Sequence, residues 1–396
     1  MKKILALILT AAMCMSIMTA SAWADEAEYP ITVEHAAGET EVEEIPERIF
    51  VLDMAALDII DALGLGDLVV GVMEQQSKGN SGTPAYLEDY FNNEDIVVLS
   101  NGNMNGGHGM EAEEAEEDED EDDEYDIYYT IDADLIIGGS NQSEIYDVLS
   151  DVAPTVIINS IQTFGSDETA EVYEAVKENL SIICQIFGLD AEAEEMIADF
   201  DGRVDALREK VDGTSGILTQ INYKSNALKL STNSAQFLTE LGFENLALNA
   251  PESYISNKKG GSKGMSTEDT ATGESSKDEA SEGQGERSAK DEASEGQNEM
   301  TAMNSTSEEE IHANQQADTA EVTAWMEEQN PDYIFIVGSD YTSVEEAIEA
   351  DVDMAGVTDL TAYQNGRVYF LSSSWSSALG GLTSFSNMLA ELEAIF

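Results

Sequence analysis

Short apolar runs separated by helical or polar segments organise this chain of 396 residues. Strands of this kind that alternate with helices indicate parallel sheets covered by helices. The pattern therefore predicts an α/β fold in which one construction occurs twice. The predicted strands are RIFVLD, LVVGV, DIVVLS, DLIIGG and PTVIIN in the first half, and GILTQIN, NLALN, DYIFIVG and RVYFLSS in the second.

The segment from Ile31 to Val72 gives the sharpest local prediction. Its polar and apolar residues predict a hairpin (ITVEHAAGETEVEEIP), a buried strand (RIFVLD), a helix (MAALDIIDAL) and a second strand (LVVGV). The helix ends at Gly64, where glycine adopts the left-handed cap conformation without strain. This order predicts a parallel β-α-β unit. At the far end, LTSFSNMLAELEAIF predicts an amphipathic closing helix.

Residues 190–211 separate the two halves and predict one long helix. Their apolar positions follow a helical stripe: Met196, Ile197, Phe200, Val204, Leu207 and Val211. From the residues alone, the plain interpretation is a surface helix on one side of the molecule.

The first 24 residues predict an export signal. Lys2 and Lys3 form a basic region, an apolar core follows, and Ala22-Trp23-Ala24 is a small-x-small cleavage site before Asp25. Cys14 raises the alternative of a lipid anchor, but Met13 before it does not fit a lipoprotein signal, so we expect no anchor there. Without the signal, Cys184 is the only cysteine, which excludes an intrachain disulfide and predicts a core residue.

The charge of the chain excludes nucleic acid as a partner. The formal net charge is −64, and removal of Lys2 and Lys3 with the signal lowers it by two, to −66, which repels phosphate groups. Two segments are expected to be disordered, because they lack apolar residues to bury. They are the acidic loop 111–126 and the low-complexity insertion 256–317, in which KDEASEGQ occurs twice.

Several fragments, in this order, resemble one family: the substrate-binding proteins of siderophore, haem and vitamin B12 ABC importers. The fragments are the β-α-β opening, IDADLIIGGSNQSEIYDVLSDVAPTVII, QNPDYIFIVGSD and DLTAYQNGRVYFLSSSWSSALGG. The resemblance implies two Rossmann-like α/β lobes with parallel sheets, joined by a single long helix, with a ligand cleft between them. The expected division is 1–24 signal, 25–189 N-terminal lobe, 190–212 interlobe helix and 213–396 C-terminal lobe.

The resemblance also implies a function. We expect an exported monomer, in the periplasm or on the outer face of the cell membrane, that captures a siderophore-type iron complex and delivers it to an ABC permease. It implies no intrinsic cofactor and a ferric chelate as ligand, with haem or a corrinoid as alternatives. Permease docking in the family uses acidic residues; among the many here, Glu240 is a weak candidate.

Architecture predicts the ligand site, because ligands of open α/β sheets bind beyond the carboxyl ends of the strands. Trp375 follows the last strand in a serine-rich turn, a setting that favours a ligand contact over a core position. The predicted ligand-binding residues are Met54, Met73, Gln75, Ser140, Asn141, Gln142, Tyr223, Lys224, Asn233, Gln236, Ser339, Tyr341 and Trp375.

The chain departs from the catecholate branch of this family in one respect. That branch places arginines in the cleft, whereas the matching positions here hold Ser140, residues 233–237 without arginine, and Ser339. An anionic ligand would lose its hydration with little compensation. We therefore expect a neutral or cationic chelate.

Catalytic and zinc-binding motifs are absent from the sequence, which predicts a protein that is not an enzyme. The three histidines do not form a zinc-site cluster: His35 is expected to be structural, and His108 stands beside the acidic loop, where loose cation capture is an alternative to plain solvation. His312 lies in the low-complexity insertion. The competing function is an acidic extracellular cation-binding or adhesion protein.

Overall fold

A computed structural model describes residues 28–74, 83–100, 126–161, 171–222, 226–231, 235–251, 254–255, 308–337, 341–375 and 380–396. The strands are β1 Ile31–His35, β2 Gly38–Val42, β3 Ile49–Val51, β4 Val69–Glu74, β5 Val97–Ser100, β6 Leu135–Gly138, β7 Thr155–Ile157, β8 Ser215–Asn222, β9 Ala227–Leu230, β10 Glu244–Asn245, β11 Tyr333–Val337 and β12 Val368–Phe370.

Eleven α-helices complete the described structure. They are α1 Met54–Ala62, α2 Glu88–Asn92, α3 Asp126–Tyr129, α4 Tyr146–Val152, α5 Val172–Ile186, α6 Asp190–Val211, α7 Ala235–Glu240, α8 Glu308–Gln329, α9 Val344–Glu349, α10 Thr361–Gln364 and α11 Leu382–Ile395. In the described part of the chain, none of them has the length and apolar content needed to cross a membrane.

Two five-stranded sheets form the framework, as the repeated strand pattern predicts. The first sheet has the order β5-β4-β3-β6-β7, and all of its pairs are parallel. The second has the order β10-β8-β11-β12 with parallel pairs, and β9 pairs antiparallel with the end of β8. The β1-β2 hairpin is separate from both sheets. The predicted α/β fold with two parallel sheets is confirmed.

Three local predictions need correction. NLALN is not a strand: only Glu244–Asn245 pairs, and a 3₁₀ turn follows because the Asn245 side chain accepts the N–H of Ala247 at 3.2 Å. The strand β9, ALKL, was not predicted.

Helix α8 begins at Glu308, inside the segment 256–317 that was expected to be disordered. The sequence EEEIHANQQA is rich in helix formers, and Val322 and Met326 further along anchor the helix against the second sheet. Residues 256–307 lie outside the described part.

Helix α11 returns from the second sheet and packs against α1, α5 and α6. Phe385 on α11 is the centre of this contact. Its ring lies 5.1 Å from those of Tyr173 on α5, Phe200 on α6 and Phe237 on α7, measured between centroids. One apolar core therefore runs from the first sheet to the second.

The amino end of α11 is buried, and a side chain of α1 caps it. Asp58 accepts the N–H of Thr383 on Oδ1 at 2.6 Å and the N–H of Ser384 on Oδ2 at 3.0 Å, and Tyr86 donates its hydroxyl hydrogen to Oδ2. Burial raises the pKa of Asp58 to about 6, although these hydrogen bonds act to lower it. Beside it, Asn179 of α5 donates to the carbonyl of Gly380 at 3.3 Å. Side chains of α1 and α5 thus satisfy backbone groups at the start of the last helix.

Asp58→Ala should lower the free energy of unfolding by at least about 2 kcal/mol, because two buried N–H groups and a tyrosine hydroxyl lose their acceptor. Urea denaturation measures this. Asp205→Ala is the matched control, since Asp205 is an exposed helical carboxylate paired with Arg208 at 3.0 Å, and we expect a change below about 0.5 kcal/mol. Equal stability of Asp58→Ala and wild type would contradict the capping role.

Candidate functional site

The carboxyl ends of the parallel strands are the place for a ligand in each sheet. At this edge of the first sheet, which we call the first rim, the chain leaves β3 at Asp53, β6 at Gly139 and β7 at residues 158–161. Asp53 caps α1, because its Oδ1 accepts the N–H groups of Ala55 at 2.8 Å and Ala56 at 3.3 Å. An aspartate directly before an amphipathic helix is a common N-cap signal.

Two serines join the segments after β6 and β7. The N–H of Ser140 donates to Ser160 Oγ at 3.0 Å, and the N–H of Ser160 donates to Ser140 Oγ at 3.1 Å. The Ser160 hydroxyl in turn donates to Asp53 Oδ2 at 2.7 Å. Burial raises the pKa of Asp53, although the hydrogen bonds to its carboxylate oppose this. The first rim is therefore a connected polar network, not a set of separate loop side chains.

Gly139 leaves room for this network. A Cβ atom at position 139 would lie 1.9 Å from Ser160 Oγ and 2.2 Å from Asp53 Oδ2, which is far inside contact distance. Only glycine fits there while both side chains keep their positions.

Of the predicted ligand-binding residues in the first lobe, Ser140 and Asn141 reach the surface of the rim: Ser140 is half-buried and Asn141 is exposed. Gln142 is a correction. Its side chain is buried and turns back, so that Oε1 accepts the N–H of Gly139 at 2.9 Å. Gln75 lies outside the described residues.

The two predicted methionines are also corrections, since both are only 5% exposed. Met54 is the first residue of α1 and packs into the main apolar core. Met73 packs with Phe50 and Leu99 on the other face of the first sheet. Successive side chains of a strand point to opposite faces, so the position of Met73 near the end of β4 did not decide which way it faces.

Trp375 is the largest correction. Its side chain is 0% exposed, its ring lies 5.9 Å from that of Phe237, and its Nε1–H donates to Glu391 Oε2 at 2.8 Å. Glu391 also accepts the N–H of Ser372 at 3.0 Å. The indole thus fastens the chain after β12 to helix α11 and does not face a ligand.

In the second lobe, most predicted site residues lie outside the described part of the chain: Tyr223, Lys224, Asn233 and Ser339. Gln236 is half-buried near the start of α7. Tyr341 is half-buried and packs against the second apolar cluster, which α8 covers. The described structure therefore details the first rim and, of the predicted contacts near the second sheet, places Gln236 and Tyr341.

Sequence reasoning missed Asp53 and Ser160. Asp53 carried a usable signal, because it immediately precedes the periodic apolar residues of α1. Ser160 carried none: its role depends on the neighbouring positions of β6 and β7, which only the folded sheet supplies.

Glu240, the weak candidate for permease docking, has an internal role. Its Oε1 and Oε2 accept the N–H groups of Val172 at 2.6 Å and Tyr173 at 2.8 Å, and so cap helix α5 from α7. Burial raises the pKa of Glu240 to about 7. A carboxylate engaged in this way is not available to a permease, and the candidate is withdrawn.

His35 has the structural role that the sequence predicts. Its Nδ1 accepts the N–H groups of Ala37 at 3.2 Å and Ile157 at 3.3 Å, which leaves the hydrogen on Nε2, 2.9 Å from Thr40 Oγ1. Burial lowers the pKa of His35, in keeping with a neutral ring. Cys184 is fully buried in the main core, as predicted. His108 and the side chain of His312 lie outside the described part.

A groove on the helical face lies away from the first rim. A groove of about 520 Å³ lies between α6 and α11, lined by Gly202, Arg203 and Glu393 among others, and so sits on the helical face. Within the described ranges, no group of three or more metal-ligating side chains converges as a metal site.

Comparison with known proteins supports this architecture. Residues 131–263 match the family described as "Periplasmic binding protein". The petrobactin-binding protein YclQ of Bacillus subtilis (strain 168) is 23% identical over 388 residues, which cover 96% of this chain and 92% of that protein. The resemblance to the siderophore branch of this family, predicted from the sequence, is confirmed.

Solved structures share the fold. The siderophore-binding protein BauB, bound to ferric iron and two acinetobactin molecules, superposes with a TM-score of 0.58 at 16% identity, covering 92% of this chain and 98% of that one. The catecholate-siderophore-binding protein VctP of Vibrio cholerae gives 0.54 at 19% identity, covering 92% and 99%.

The raised pKa of Glu240 predicts a pH dependence with a definite sign. The folded chain binds the proton more tightly than the unfolded chain, so the stability this group contributes is greatest at acidic pH and is lost as pH rises through about 7. The unfolding free energy of the wild type minus that of Glu240→Gln should therefore decrease from pH 5 to pH 8. Urea titrations at three pH values test this, and a constant or rising difference would contradict it.

Trp375→Ala should lower the free energy of unfolding by about 3–5 kcal/mol, as expected for removal of a buried aromatic side chain. Trp375→Phe keeps one aromatic ring but loses the five-membered ring and the hydrogen bond to Glu391, so we expect a smaller loss, of about 2–3 kcal/mol. Denaturation curves of both variants decide the matter. Wild-type stability of Trp375→Ala, combined with weakened ligand binding, would restore the ligand-contact interpretation.

Proposed function

We propose that this relative of the periplasmic binding proteins is an exported solute-binding protein that captures a siderophore-type iron complex and passes it to the permease of an ABC importer. The observation that carries the proposal is the pair of largely parallel sheets, the first with a polar rim at its carboxyl end, in a chain that aligns with a petrobactin-binding protein over nearly the full length of both. The iron complex is cargo, and no intrinsic cofactor or catalytic activity is part of the proposal.

The division of the chain remains part of the proposal: lobes 25–189 and 213–396, joined by residues 190–212. It is supported by α6, one continuous helix of 22 residues that follows the first sheet and precedes the second in sequence. We further propose cleavage before Asp25, no lipid anchor at Cys14, and a monomer that acts in the periplasm or on the outer face of the cell membrane.

The positions of the arginines support a weakly charged ligand. Arg48 precedes β3 and Arg367 precedes β12, so both lie at the ends of the sheets opposite the rims, and each pairs with an aspartate. Arg203 and Arg208 lie on α6 and pair with Glu393 and Asp205. Every arginine of the described residues is thus engaged away from the rims. Among the described residues, a highly anionic chelate would find no arginine at the rims to compensate for its lost hydration.

The competing function, an acidic cation-binding or adhesion protein, rests on segments 111–126 and 256–317, most of which the structure does not describe. The comparisons favour the importer proposal, since four relatives carry names of siderophore-binding or ABC-transporter substrate-binding proteins. Haem and corrinoids stay as alternative ligands to be included in the binding test.

Calorimetric titration of the chain from Asp25 tests both the function and the ligand charge. A neutral ferric tris-hydroxamate should saturate at one per protein and bind at least about tenfold more tightly than a ferric tris-catecholate at moderate salt, because each uncompensated ligand charge costs several kcal/mol on burial. The iron-free chelators are the control.

The outcomes separate the two ideas. Tighter binding of the catecholate would show that the charge argument is wrong while the capture function stands. Failure of the hydroxamate, the catecholate, haem and a corrinoid to saturate the protein would refute the capture function itself.

A further inference from the structure

We infer that the Ser140 hydroxyl donates a hydrogen bond to an oxygen atom of the bound chelate, and that Ser160 and Asp53 are the residues that position it. This inference rests on the proposed function and identifies which side chain of the first rim makes a hydrogen bond to the ligand. It follows from how the hydrogens of the rim network are shared.

The donors and acceptors of the two serines can be assigned. With Asp53 ionised, the Ser160 hydroxyl hydrogen points to its Oδ2 at 2.7 Å, because a carboxylate can only accept. Ser160 Oγ therefore has no hydrogen left for Ser140 and instead accepts the N–H of Ser140 at 3.0 Å. Ser140 Oγ accepts the N–H of Ser160 at 3.1 Å. The hydroxyl hydrogen of Ser140 has no acceptor among the described residues, so the network leaves one donor at the rim.

The network also restricts the direction of that donor. With one lone pair of Ser140 Oγ held by the N–H of Ser160, the hydroxyl hydrogen is confined to the remaining directions, and Ser140 is half-buried, so some of these open to solvent. Asn179 holds the segment before Ser160 in place, with Oδ1 accepting the N–H of Asn159 at 2.9 Å and Nδ2 donating to its carbonyl at 3.0 Å. Such a donor is partly oriented before the ligand arrives.

The chemistry at the rim selects the acceptor. A hydroxyl donor suits a carbonyl or hydroxamate oxygen on the surface of a chelate. The Asp53 carboxyl group lies directly behind Ser160 and, when ionised, repels a full negative charge on the ligand once water is displaced. The first rim therefore favours a neutral oxygen acceptor, which agrees with the positions of the arginines.

Ser140→Ala and Ser140→Thr test the contact. Loss of one hydrogen bond in a desolvated site should weaken binding of the best ferric chelate found with the wild type about five- to tenfold, whereas threonine keeps the hydroxyl and should stay within about twofold. Ser181→Ala is the matched control, because Ser181 on α5 is exposed and bonds only to the carbonyl of Lys177, at 2.8 Å. Its affinity should equal that of the wild type.

Asp53→Asn tests the positioning role without removing the helix cap, since asparagine caps helices as well as aspartate does. Its amide can present a donor where Asp53 accepts the Ser160 hydroxyl, which redirects the hydrogen and disturbs Ser140. We expect about a three- to tenfold loss of affinity in the wild-type background and no further loss in Ser140→Ala, because both changes act through one hydroxyl.

Distinct results overturn distinct claims. If Ser140→Ala binds within twofold of the wild type, the contact is refuted while capture stands. If the Asp53 and Ser140 effects simply add, Asp53 does not act through Ser140. If the wild type binds none of the chelates, the proposed function fails and this inference fails with it.

Discussion

The arrangement of this molecule depends on how the buried amino end of helix α11 is satisfied. Helix α11 carries Phe385, which contacts rings from α5, α6 and α7, so the packing of both sheets passes through it. A helix that starts in such a core must find acceptors for its first N–H groups. Asp58 supplies them from α1. Glu240 does the same in the opposite direction, from α7 to α5, and the two carboxylates cross-link the halves of the molecule.

Local patterning decides which elements could be predicted from the sequence and which could not. Binary patterning and turn signals located all strands of the first sheet, three strands of the second, α1, the long helix α6 and α11, because these elements are decided by local periodicity. They did not locate the start of α8 or the turn after Asn245, where helix propensity and a side-chain cap override the apolar pattern.

Site residues were harder to predict, since a sequence shows which residues follow a strand but not which way they face. Ser140 and Asn141 reach the rim, whereas Met73 turns to the other face of its sheet and Trp375 turns into the core. The serine-rich turn around Trp375 lacks apolar periodicity, and only the distant Phe237 and Glu391 make it a core position. In the sequence, Glu240 likewise looks like one of many surface acidic residues. Its role is seen only in the folded chain, where it accepts the first N–H groups of α5.

The cap on α11 also has a consequence for how the chain folds. Asp58 and Thr383 lie 325 positions apart. The acceptor carboxylate is therefore synthesised early, and its N–H donors are synthesised near the end of the chain. Contacts of such long sequence separation form late and slow folding. The core around Phe385 therefore closes only when the carboxyl-terminal residues have joined the fold.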